Sequence, residues 1–274
     1  MLAKSFLAIL LGLLALWALE SRAETVMCTE IASVPYTIAT AGKYCLNRDL
    51  IMRGADAAAI RIEANGVELD CNGHQLTYYS TSSASYGIYV RSRRLVTVRD
   101  CALHRFKTGI ALSRVSSSRL LDNRVSYPEN EGFYVSGDDI EIARNTIHVD
   151  YGSQTSGPSV GILTQPYWTG LPARMRITEN VVQGESGILV LGGDLAIIEH
   201  NQVEGGIQIA EYWDIPQLPI PSRGLVRGNT VRGNIQVQQG SVVVCSENYI
   251  FASGSGSAIS GCLTDTRENT VILN

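Results

Sequence analysis

The sequence contains few charged side chains, few aromatic side chains, and no long apolar run after its N-terminus. Charged residues make up 18% and aromatic residues 7% of the 274 residues, whereas 45% are hydrophobic. That hydrophobic fraction excludes an intrinsically disordered chain. The net charge of −4 lacks the basic excess typical of nucleic-acid binding, and the 26 glycines have no Gly-x-y period, which excludes collagen. Many glycines among apolar and uncharged polar residues indicate β structure with frequent turns.

The N-terminus carries the features of an export signal. Lys4 is followed by an almost wholly apolar run from Phe6 to Leu19, and Ser21-Arg22-Ala23 places small residues at positions −3 and −1 of a cleavage site. This pattern predicts a signal peptide over residues 1–23; an uncleaved anchor is the alternative. No later segment approaches the ~20 apolar residues of a spanning helix. We therefore expect a secreted or periplasmic protein without membrane contact after cleavage.

All six cysteines follow that cleavage site, and none belongs to a Cys-x-x-Cys pair or to a His/Cys cluster with zinc spacing. An even number of cysteines in an exported chain indicates disulfide bonds, but the sequence alone leaves their pairing open. They are Cys28, Cys45, Cys71, Cys101, Cys245 and Cys262.

Two motifs alternate along most of the chain. The first, Asn-x-Val or Asn-x-Ile, recurs at spacings of 19 to 35 residues and most often near 22. The second is Gly-Ile or Gly-Phe followed by a short apolar strand. The asparagines are Asn123, Asn145, Asn180, Asn201, Asn229, Asn248 and Asn269. The glycines are Gly87, Gly109, Gly132, Gly161, Gly187 and Gly206, and Asn234-Ile235 continues the series.

Such short strands cannot bury their inner faces alone. Stacked into a solenoid, each strand would pair with its copy in the next coil at ~4.8 Å, and the inner faces would form one continuous core. The asparagines would then form an internal ladder at a sharp turn. A β-sandwich is the alternative, but it would not keep the two motifs in phase. The sequence therefore predicts an all-β, single-domain parallel β-helix with coils of about 22 residues.

With these repeats the chain resembles the right-handed parallel β-helix (pectin-lyase-like) superfamily, and in particular exported bacterial proteins of that type. Tyr36-Thr-Ile38, the segment 42–46 and the segment 67–74 are similar to the usual opening strands. The resemblance covers residues 28–274 and implies an N-terminal cap and first coil over residues 24–66, followed by the β-helix over residues 67–274. It implies no single activity, because this fold carries lyases, hydrolases, epimerases and proteins without catalysis.

The cysteines fit this solenoid. Cys71 and Cys101 belong to successive coils at the Asn-ladder turn, within the Cα distance of a disulfide. We expect Cys71–Cys101, with Cys28–Cys45 closing the N-terminal end and Cys245–Cys262 the C-terminal end. Bonds at the ends would protect open strand edges. Buried reduced cysteines are the alternative for the last pair.

Two overlong coils carry the same aromatic dipeptide. Tyr167-Trp168 begins six residues after Gly161, and Tyr212-Trp213 begins six residues after Gly206. Equal offsets in a solenoid place residues along one edge, so the two loops should stand roughly 10 Å apart. Their aromatic faces would suit sugar rings; alternatively, both tryptophans cover the sheet.

Acidic residues occupy the same offset in neighbouring coils. Asp194 follows Gly187 in the coil between the two loops, and Asp138 and Asp139 follow Gly132 in the coil before them. Asp138-Asp139 resembles the aspartate pair of polygalacturonases, but the partner motifs Asn-Thr-Asp, Gly-His-Gly and Arg-Ile-Lys do not occur in the sequence. A plain turn explains the pair more simply.

Basic residues concentrate in residues 91–124, where nine of them stand against two acidic residues, a net charge of +7. Such a band, with Arg91, Arg93 and Arg94 at its start, would attract a polyanion such as a uronate chain. A solvated face with local ion pairs is the alternative.

Asp100 and Asp122 occupy equivalent positions before the ladder in stacked coils, with Arg144 in the next coil. Two carboxylates ~5 Å apart could hold Ca²⁺ beside a uronate, as lyase chemistry needs. An ion-paired end of the ladder explains the same residues. No motif requires a cofactor, and these two carboxylates are candidate ligands for Ca²⁺.

We therefore expect an exported monomer that binds a polysaccharide, with a uronate chain favoured, and that has neither nucleic acid nor membrane as a partner. A lyase-like activity is the favoured catalytic hypothesis, but none of the catalytic signatures is complete. The alternative is a non-catalytic periplasmic or surface protein that acts in the assembly or maturation of a partner.

Overall fold

The protein is a parallel β-solenoid, seen in a computed structural model that describes residues 28–54, 56–79, 86–149, 159–166, 174–211, 222–252, 257–263 and 268–273. The expected signal peptide, residues 1–23, lies outside the described residues. Every strand pairing in the described ranges is parallel, and none of these residues forms an α-helix. No helix in this part of the chain has the length and hydrophobicity to span a bilayer.

Each coil contributes one strand to each of three sheets. Sheet A contains β2 (Tyr36–Ile38), β5 (Ala58–Ile62), β8 (Tyr86–Arg91), the first parts of β11 (Thr108–Leu121) and β13 (Glu131–Ala143), β15 (Val160–Gln165), β18 (Ser186–Leu191), β21 (Ile207–Ala210), β24 (Ile235–Val237) and β27 (Ile259–Ser260). Sheet B contains β1 (Thr29–Glu30), β3 (Gly42–Cys45), β6 (Val67–Asp70), β9 (Val96–Arg99), the second parts of β11 and β13, β16 (Arg174–Thr178), β19 (Gly193–Glu199), β22 (Ser222–Arg227) and β25 (Val242–Ser246). Sheet C contains β4 (Leu50–Met52), β7 (Gln75–Tyr78), β10 (Ala102–His104), β12 (Arg124–Ser126), β14 (Thr146–His148), β17 (Val181–Gln183), β20 (Gln202–Glu204), β23 (Thr230–Arg232), β26 (Tyr249–Ala252) and β28 (Thr270–Leu273).

Sheets A and B are continuous because β11 and β13 run from one into the other, so the two form a single 18-stranded sheet. The Gly-Ile motif marks the strands of sheet A. Ile88, Ile110 and Phe133 follow their glycines, lie opposite one another in neighbouring strands and point into the core. The Asn-x-Val motif marks sheet C in the same way, with Val125 and Ile147 as stacked inner residues. The predicted all-β solenoid with one continuous core is confirmed.

Glycine opens the sheet A strands because the backbones approach closely there. A Cβ atom on Gly109 would lie 2.6 Å from the carbonyl oxygen of Gly132 in the next coil and 2.7 Å from the side chain of Val125. No side chain fits at such distances, so the motif needs Gly for space.

The asparagines form the predicted ladder along the turn between sheets B and C. The backbone N–H and the Nδ2 of Asn180 both donate to Oδ1 of Asn201 at 2.9 Å, and its Nδ2 also donates to the carbonyl of Ile142. The same pattern runs from Asn123 to Asn269, and the asparagines from Asn123 to Asn248 are buried. The residue before each buried asparagine adopts a left-handed conformation, with φ between 56° and 62°. The ladder thus stabilises a turn that is unfavourable for most residues.

The described cysteines form the three expected disulfides, Cys28–Cys45, Cys71–Cys101 and Cys245–Cys262. Cys101 takes the place of an asparagine at the start of the ladder, because its backbone N–H donates to Oδ1 of Asn123. The Cys71–Cys101 bond therefore continues the ladder toward the N-terminus with a covalent link. The segment 24–66, expected to form the cap and the first coil, contributes β1 to β5, which pair in register with later coils.

Asn180→Ala should lower the free energy of unfolding by about 2–4 kcal/mol, because it leaves buried donors and acceptors without partners on both neighbouring coils. Urea unfolding followed by circular dichroism measures the change. Gln202→Ala, on the exposed side of sheet C beside Asn201, should change stability by less than ~0.5 kcal/mol. Equal effects of the two variants would contradict a stabilising ladder.

Thr164→Val should stabilise the protein. Thr164 is 1% exposed, lies between Val135 and Val190 in sheet A, and its hydroxyl has no hydrogen-bond partner. Removing an unsatisfied buried hydroxyl while keeping the side-chain shape should raise Tm by about 2–4 °C. Differential scanning calorimetry tests this, and a lower Tm would show that the hydroxyl has a partner in solution.

Candidate functional site

Long connections interrupt the coils at two of the three corners, and both of these corners border sheet A. The AB corner follows each sheet A strand, the BC corner follows each sheet B strand, and the CA corner follows each sheet C strand. Residues 79–85 and 149–159 extend the CA corner, and residues 166–173 and 211–221 extend the AB corner. At the BC corner, where the Asn ladder runs, every connection from β9 to β26 has two residues. Since binding residues concentrate on loops held by a rigid scaffold, the outer face of sheet A is the candidate functional face.

Both aromatic dipeptides fall in the extended AB connections. Tyr167-Trp168 lies between β15 and β16, Tyr212-Trp213 lies between β21 and β22, and all four residues are outside the described residues. Strand β18 pairs with both β15 and β21. The two segments therefore leave the solenoid on either side of one coil, so their points of departure are about 10 Å apart.

The acidic residues expected at this edge lie at the AB corner, and three arginines of the basic band lie there as well. Arg91 ends β8, and Arg93 and Arg94 lie in the turn toward β9. Asp138 and Asp139 lie where β13 passes from sheet A to sheet B, and Asp194 is the second residue of β19. The fold thus brings together, along one corner, residues that are up to about 100 positions apart in the chain.

The acidic residues of this corner hold structural contacts. Arg174 donates to both carboxylate oxygens of Asp138, at 3.1 and 2.9 Å, and its backbone N–H donates to the same group at 3.0 Å. Partial burial works to raise the pKa of Asp138, but the hydrogen bonds from Arg174 outweigh it and the net pKa is lowered. Asp139 accepts a hydrogen bond from Ser117 at 2.9 Å, and Asp194 lies 3.7 Å from Arg223.

Asp100, Asp122 and Arg144 lie at the BC corner, on the opposite edge of sheet B. Arg144 donates to both oxygens of Asp122 at 2.8 Å, and these hydrogen bonds raise the pKa of Arg144. Arg99 donates to Asp100 at 3.0 Å and also contacts Glu68 and Asp70. These contacts match the ion-paired alternative for the end of the ladder. Among the described residues, no three His, Cys, Asp or Glu side chains come together as metal ligands.

The basic segment 91–124 encircles the solenoid over two coils instead of forming one face. Arg91, Arg93 and Arg94 lie at the AB corner, and Arg99 and Arg119 point outward from sheet B. Arg105 and Lys107 lie at the CA corner, Arg114 at the AB corner and Arg124 on sheet C. Cations therefore flank sheet A at both corners, whereas Arg99 on sheet B forms ion pairs with Glu68 and Asp100.

A groove of about 400 Å³ lies on the outer face of sheet A. We call it the tyrosine groove; it is lined by Tyr86, Tyr89, Lys107, Thr108, Ala111, Ser113, Asn130, Glu131 and Tyr134. Tyr89, Ala111 and Tyr134 are consecutive outward residues in β8, β11 and β13. The small Ala111, which is 1% exposed, forms the floor of the groove between two tyrosines that lie one coil away on each side.

The aromatic side chains of the groove are ordered by contacts with one another and with polar neighbours. The rings of Tyr86 and Tyr89 stack with centroids 4.9 Å apart, and the guanidinium of Arg61 lies 5.5 Å from the Tyr89 ring. Gln165 donates from Nε2 to the hydroxyl of Tyr134. Partial burial, followed by the proximity of Tyr89 and Glu131, raises the pKa of Tyr86. Its phenol therefore stays protonated at neutral pH and can donate a hydrogen bond.

Charged and polar groups occupy the side of the groove nearest the CA corner. Glu131 accepts a hydrogen bond from the hydroxyl of Thr108 at 2.7 Å, and Lys107 and Asn130 complete this wall. Aromatic faces with nearby donors and acceptors are the arrangement that binds a sugar ring, whose faces are apolar and whose edge is polar.

The tyrosine groove was not predicted from the sequence, although a signal for it is present there. Tyr89 and Tyr134 each stand two residues after the glycine of the Gly-Ile motif, in Gly87-Ile-Tyr and Gly132-Phe-Tyr. Because side chains alternate along a strand, this position points outward whenever the Ile or Phe points inward.

A second and larger groove, of about 540 Å³, lies on sheet B next to the AB corner. Its charged residues include Arg119, Glu141, Arg174 and Arg176, and its far end is formed by Leu195 and Ile197. Arg174 is held by Asp138, and Arg176 lies 3.8 Å from Glu199. Alternating and largely paired charges make it a weaker candidate for a charged polymer than the tyrosine groove.

Comparison with known proteins agrees with this architecture. The model of the family described as "Right handed beta helix region" matches residues 53–203, more than half of the chain. The Dettilon tailspike protein has 12% identity and a TM-score of 0.57, and the match covers 90% of this chain and 60% of the tailspike, so this chain spans about three fifths of that protein. At this identity the likeness shows the fold alone.

Two further solved structures are similar at a lower score. The A-module of the mannuronan C-5 epimerase AlgE6 from Azotobacter vinelandii has 15% identity and a TM-score of 0.43, with 89% of this chain and 86% of that chain covered. An alginate lyase from Paenibacillus has 13% identity and a TM-score of 0.43, with 87% and 98% covered. No curated protein sequence matches the chain.

Asp138→Asn should destabilise the protein slightly at neutral pH, by no more than about 2 °C in Tm, because the pair with Arg174 is partly exposed and screened. The pKa of Asp138 is lowered in the folded protein, so its stabilisation is present above the ordinary Asp pKa of 3.8 and is lost as the pH falls through the lowered value. Thermal unfolding from pH 7 to pH 2 should show the two proteins converging in acid. A difference that grows in acid would contradict this assignment, and Asp194→Asn, whose ion pair is longer and more exposed, serves as the control.

Proposed function

The chain belongs to the right-handed β-helix family, and from this premise we propose that it binds a polysaccharide along the outer face of sheet A, with a uronate-type chain favoured. The tyrosine groove is the observation on which the proposal rests. Two outward tyrosines one coil to either side of Ala111 offer flat apolar surfaces, and Glu131, Lys107 and Asn130 offer hydrogen-bonding groups beside them. A sugar ring needs both kinds of surface at once.

The preference for an acidic sugar follows from the cations around this groove. Lys107 lines its wall at the CA corner, and Arg91 ends β8, the strand of Tyr86 and Tyr89, at the AB corner. Arg61 lies over the ring of Tyr89 and 3.9 Å from Glu63. A carboxylate in the groove could accept charge-assisted hydrogen bonds from these groups. Glu131 keeps its negative charge while it accepts a hydrogen bond from Thr108, so a sugar carboxylate would have to face the cations and turn away from Glu131.

The aromatic dipeptides extend the proposed binding face. The segments that contain Tyr167-Trp168 and Tyr212-Trp213 leave the solenoid at the AB corner, on the border of sheet A and C-terminal to the tyrosine groove. A polymer that follows the solenoid axis from the groove would pass both segments, and their aromatic side chains would supply further sugar-binding surfaces.

We propose the periplasm or the cell exterior as the location of the protein, since three disulfides need an oxidising compartment.

Processing of the bound chain is the finer part of the proposal, and β-elimination next to a uronate is the reaction favoured. Incubation with polyuronates, with and without Ca²⁺, should then produce unsaturated ends that absorb in the ultraviolet. Asp138 and Asp122 are each held by an arginine, so their substitution should affect stability more than turnover. Binding without new absorbance would exclude β-elimination and leave the binding proposal standing.

Tyr89→Ala combined with Tyr134→Ala should weaken retention in affinity electrophoresis on alginate or polygalacturonate about tenfold or more, because both sugar-facing rings are lost. Tyr249→Ala is the matched control, since Tyr249 is a 55% exposed tyrosine in β26 of sheet C, away from the tyrosine groove. Trp168→Ala combined with Trp213→Ala should also reduce retention, with little change in Tm.

Lys107→Gln distinguishes an acidic from a neutral ligand. It should weaken retention on polyuronate gels and leave retention on neutral glucan gels unchanged, whereas Lys43→Gln on sheet B should change neither. If the double tyrosine variant is retained like the wild-type protein, the tyrosine groove is not the binding site and the proposal fails.

A further inference from the structure

A further groove, of about 400 Å³, lies at the CA corner in the C-terminal half of the solenoid. It is formed by the ends of β20 and β23 in sheet C, the starts of β21 and β24 in sheet A, and the connections between them. Its volume falls within the range of small-molecule sites. We call it the amide groove; it is lined by Gln208 and Gln236 of sheet A, Glu204 and Arg232 of sheet C, and the connections Gly205-Gly206 and Gly233-Asn234.

Glycines keep the amide groove open. Gly205, Gly206 and Gly233 have φ values of 95°, 85° and 132°, a backbone conformation that favours glycine. A Cβ atom on Gly205 would lie 2.2 Å from the carbonyl oxygen of Gly184 in the preceding coil. No side chain can therefore project from these three positions, and the space between the side chains of sheet C and those of sheet A stays free.

One row of outward residues connects the two grooves of sheet A. Its members lie opposite one another in neighbouring strands, in the order Tyr134, Leu163, Leu189, Gln208 and Gln236. Three coil spacings, ~14 Å, separate Tyr134 of the tyrosine groove from Gln208 of the amide groove. A glycan that lies along the solenoid axis would therefore reach both grooves within a few sugar units.

Charge disappears from sheet A between the two grooves. Arg61, Arg91 and Glu131 belong to β5, β8 and β13, whereas every later strand of sheet A that the structure describes, from β15 to β27, consists of uncharged residues. In the amide groove, Glu204 and Arg232 lie opposite each other in neighbouring coils, so their charges balance. A uronate carboxylate would thus meet no excess of cations there, unlike at the tyrosine groove.

The amide side chains suit the hydroxyl groups of an uncharged sugar. Gln208 and Gln236 are exposed neighbours in register, and Asn234 is half-buried at the corner beside them. Each amide offers N–H donors and a carbonyl acceptor, and a hydroxyl group likewise both donates and accepts. Glu204 adds an acceptor and Arg232 adds donors. The amide groove therefore offers hydrogen bonds of both kinds without a net charge.

We propose that the amide groove is a second sugar site and that it takes an uncharged sugar unit of the glycan held at the tyrosine groove. The ligand is then a mixed polysaccharide, with acidic units at the tyrosine groove and uncharged units further along sheet A. This inference rests on the proposed function, because it assigns a second site to the same glycan.

Partial reduction of the polyuronate that retains the protein, alginate or polygalacturonate, tests the proposal. Reduction converts carboxylates into alcohols, so uncharged sugar units replace uronates without a change of linkage. The mature, disulfide-bonded protein should be retained about threefold or more strongly in affinity electrophoresis on the half-reduced polymer than on the fully acidic polymer. Attraction by charge alone predicts the opposite order, because the half-reduced polymer carries fewer carboxylates.

Gln208→Ala combined with Gln236→Ala should abolish this preference and leave retention on the fully acidic polymer within about twofold of the wild-type value. Thr146→Ala changes an exposed polar residue of sheet C, on a different face of the solenoid. It is the control and should keep the preference. Circular dichroism shows whether the variants are folded, and the single variant Gln236→Ala replaces the double variant if that one is not.

Equal or stronger retention of the wild-type protein on the fully acidic polymer overturns the proposal and leaves the tyrosine groove as a binding site. A preference that persists in the folded glutamine variant also overturns it, because the uncharged units must then bind elsewhere. Failure of the proposed function gives a different result, in which the variant with both Tyr89→Ala and Tyr134→Ala is retained on the acidic polymer like the wild-type protein. Absence of retention on either polymer overturns both.

Discussion

The Asn ladder is the constraint on which the rest of the molecule depends. Each buried asparagine after Asn123 receives two hydrogen bonds at its Oδ1 from the preceding asparagine, and its Nδ2 donates to a carbonyl of the preceding coil. It does so only if exactly two residues separate the sheet B strand from the sheet C strand, with the first of them in the left-handed conformation. The energetic cost of that conformation is met by bonds that exist only in the stacked structure. The coils therefore keep the same register at the BC corner, even where the connections at the other two corners are longer.

Variation is consequently confined to the corners that border sheet A. Both aromatic segments leave from the AB corner, and the connections 79–85 and 149–159 leave from the CA corner. A sheet face with variable loops on both sides and a rigid ladder behind it is well suited to bind an extended ligand, because loops supply recognition and the scaffold supplies position. The tyrosine groove lies on this face, which is why the proposed function rests on it instead of on the larger groove of sheet B.

Charge has a different role on each face. At the BC corner, Arg144 pairs with Asp122 and Arg227 pairs with Glu247, so the two charges of each pair neutralise each other. Around sheet A, Arg61 and Lys107 lie beside aromatic rings or on a groove wall. Of the basic residues in 91–124, the fold places Arg99 in ion pairs with Glu68 and Asp100, and Lys107 on the wall of the tyrosine groove. The net charge of the segment does not show this difference.

Much of the fold could be predicted from the sequence, because the solenoid repeats local rules. Gly109 is needed for close approach, Ile110 for the core and Asn123 for the turn, and each is visible in a single coil. The disulfides could be predicted because Cys71 and Cys101 fall in stacked coils.

The candidate site was predicted in part. The AB corner does contain Arg91, Asp138, Asp194 and the points where both aromatic segments leave the solenoid. The sequence could not show that Asp138 and Asp122 are held by arginines from other coils, or that Tyr89 and Tyr134 flank a small residue. Those contacts join residues 22 to 45 positions apart, and they depend on the register between coils, which only the stacked tertiary structure decides.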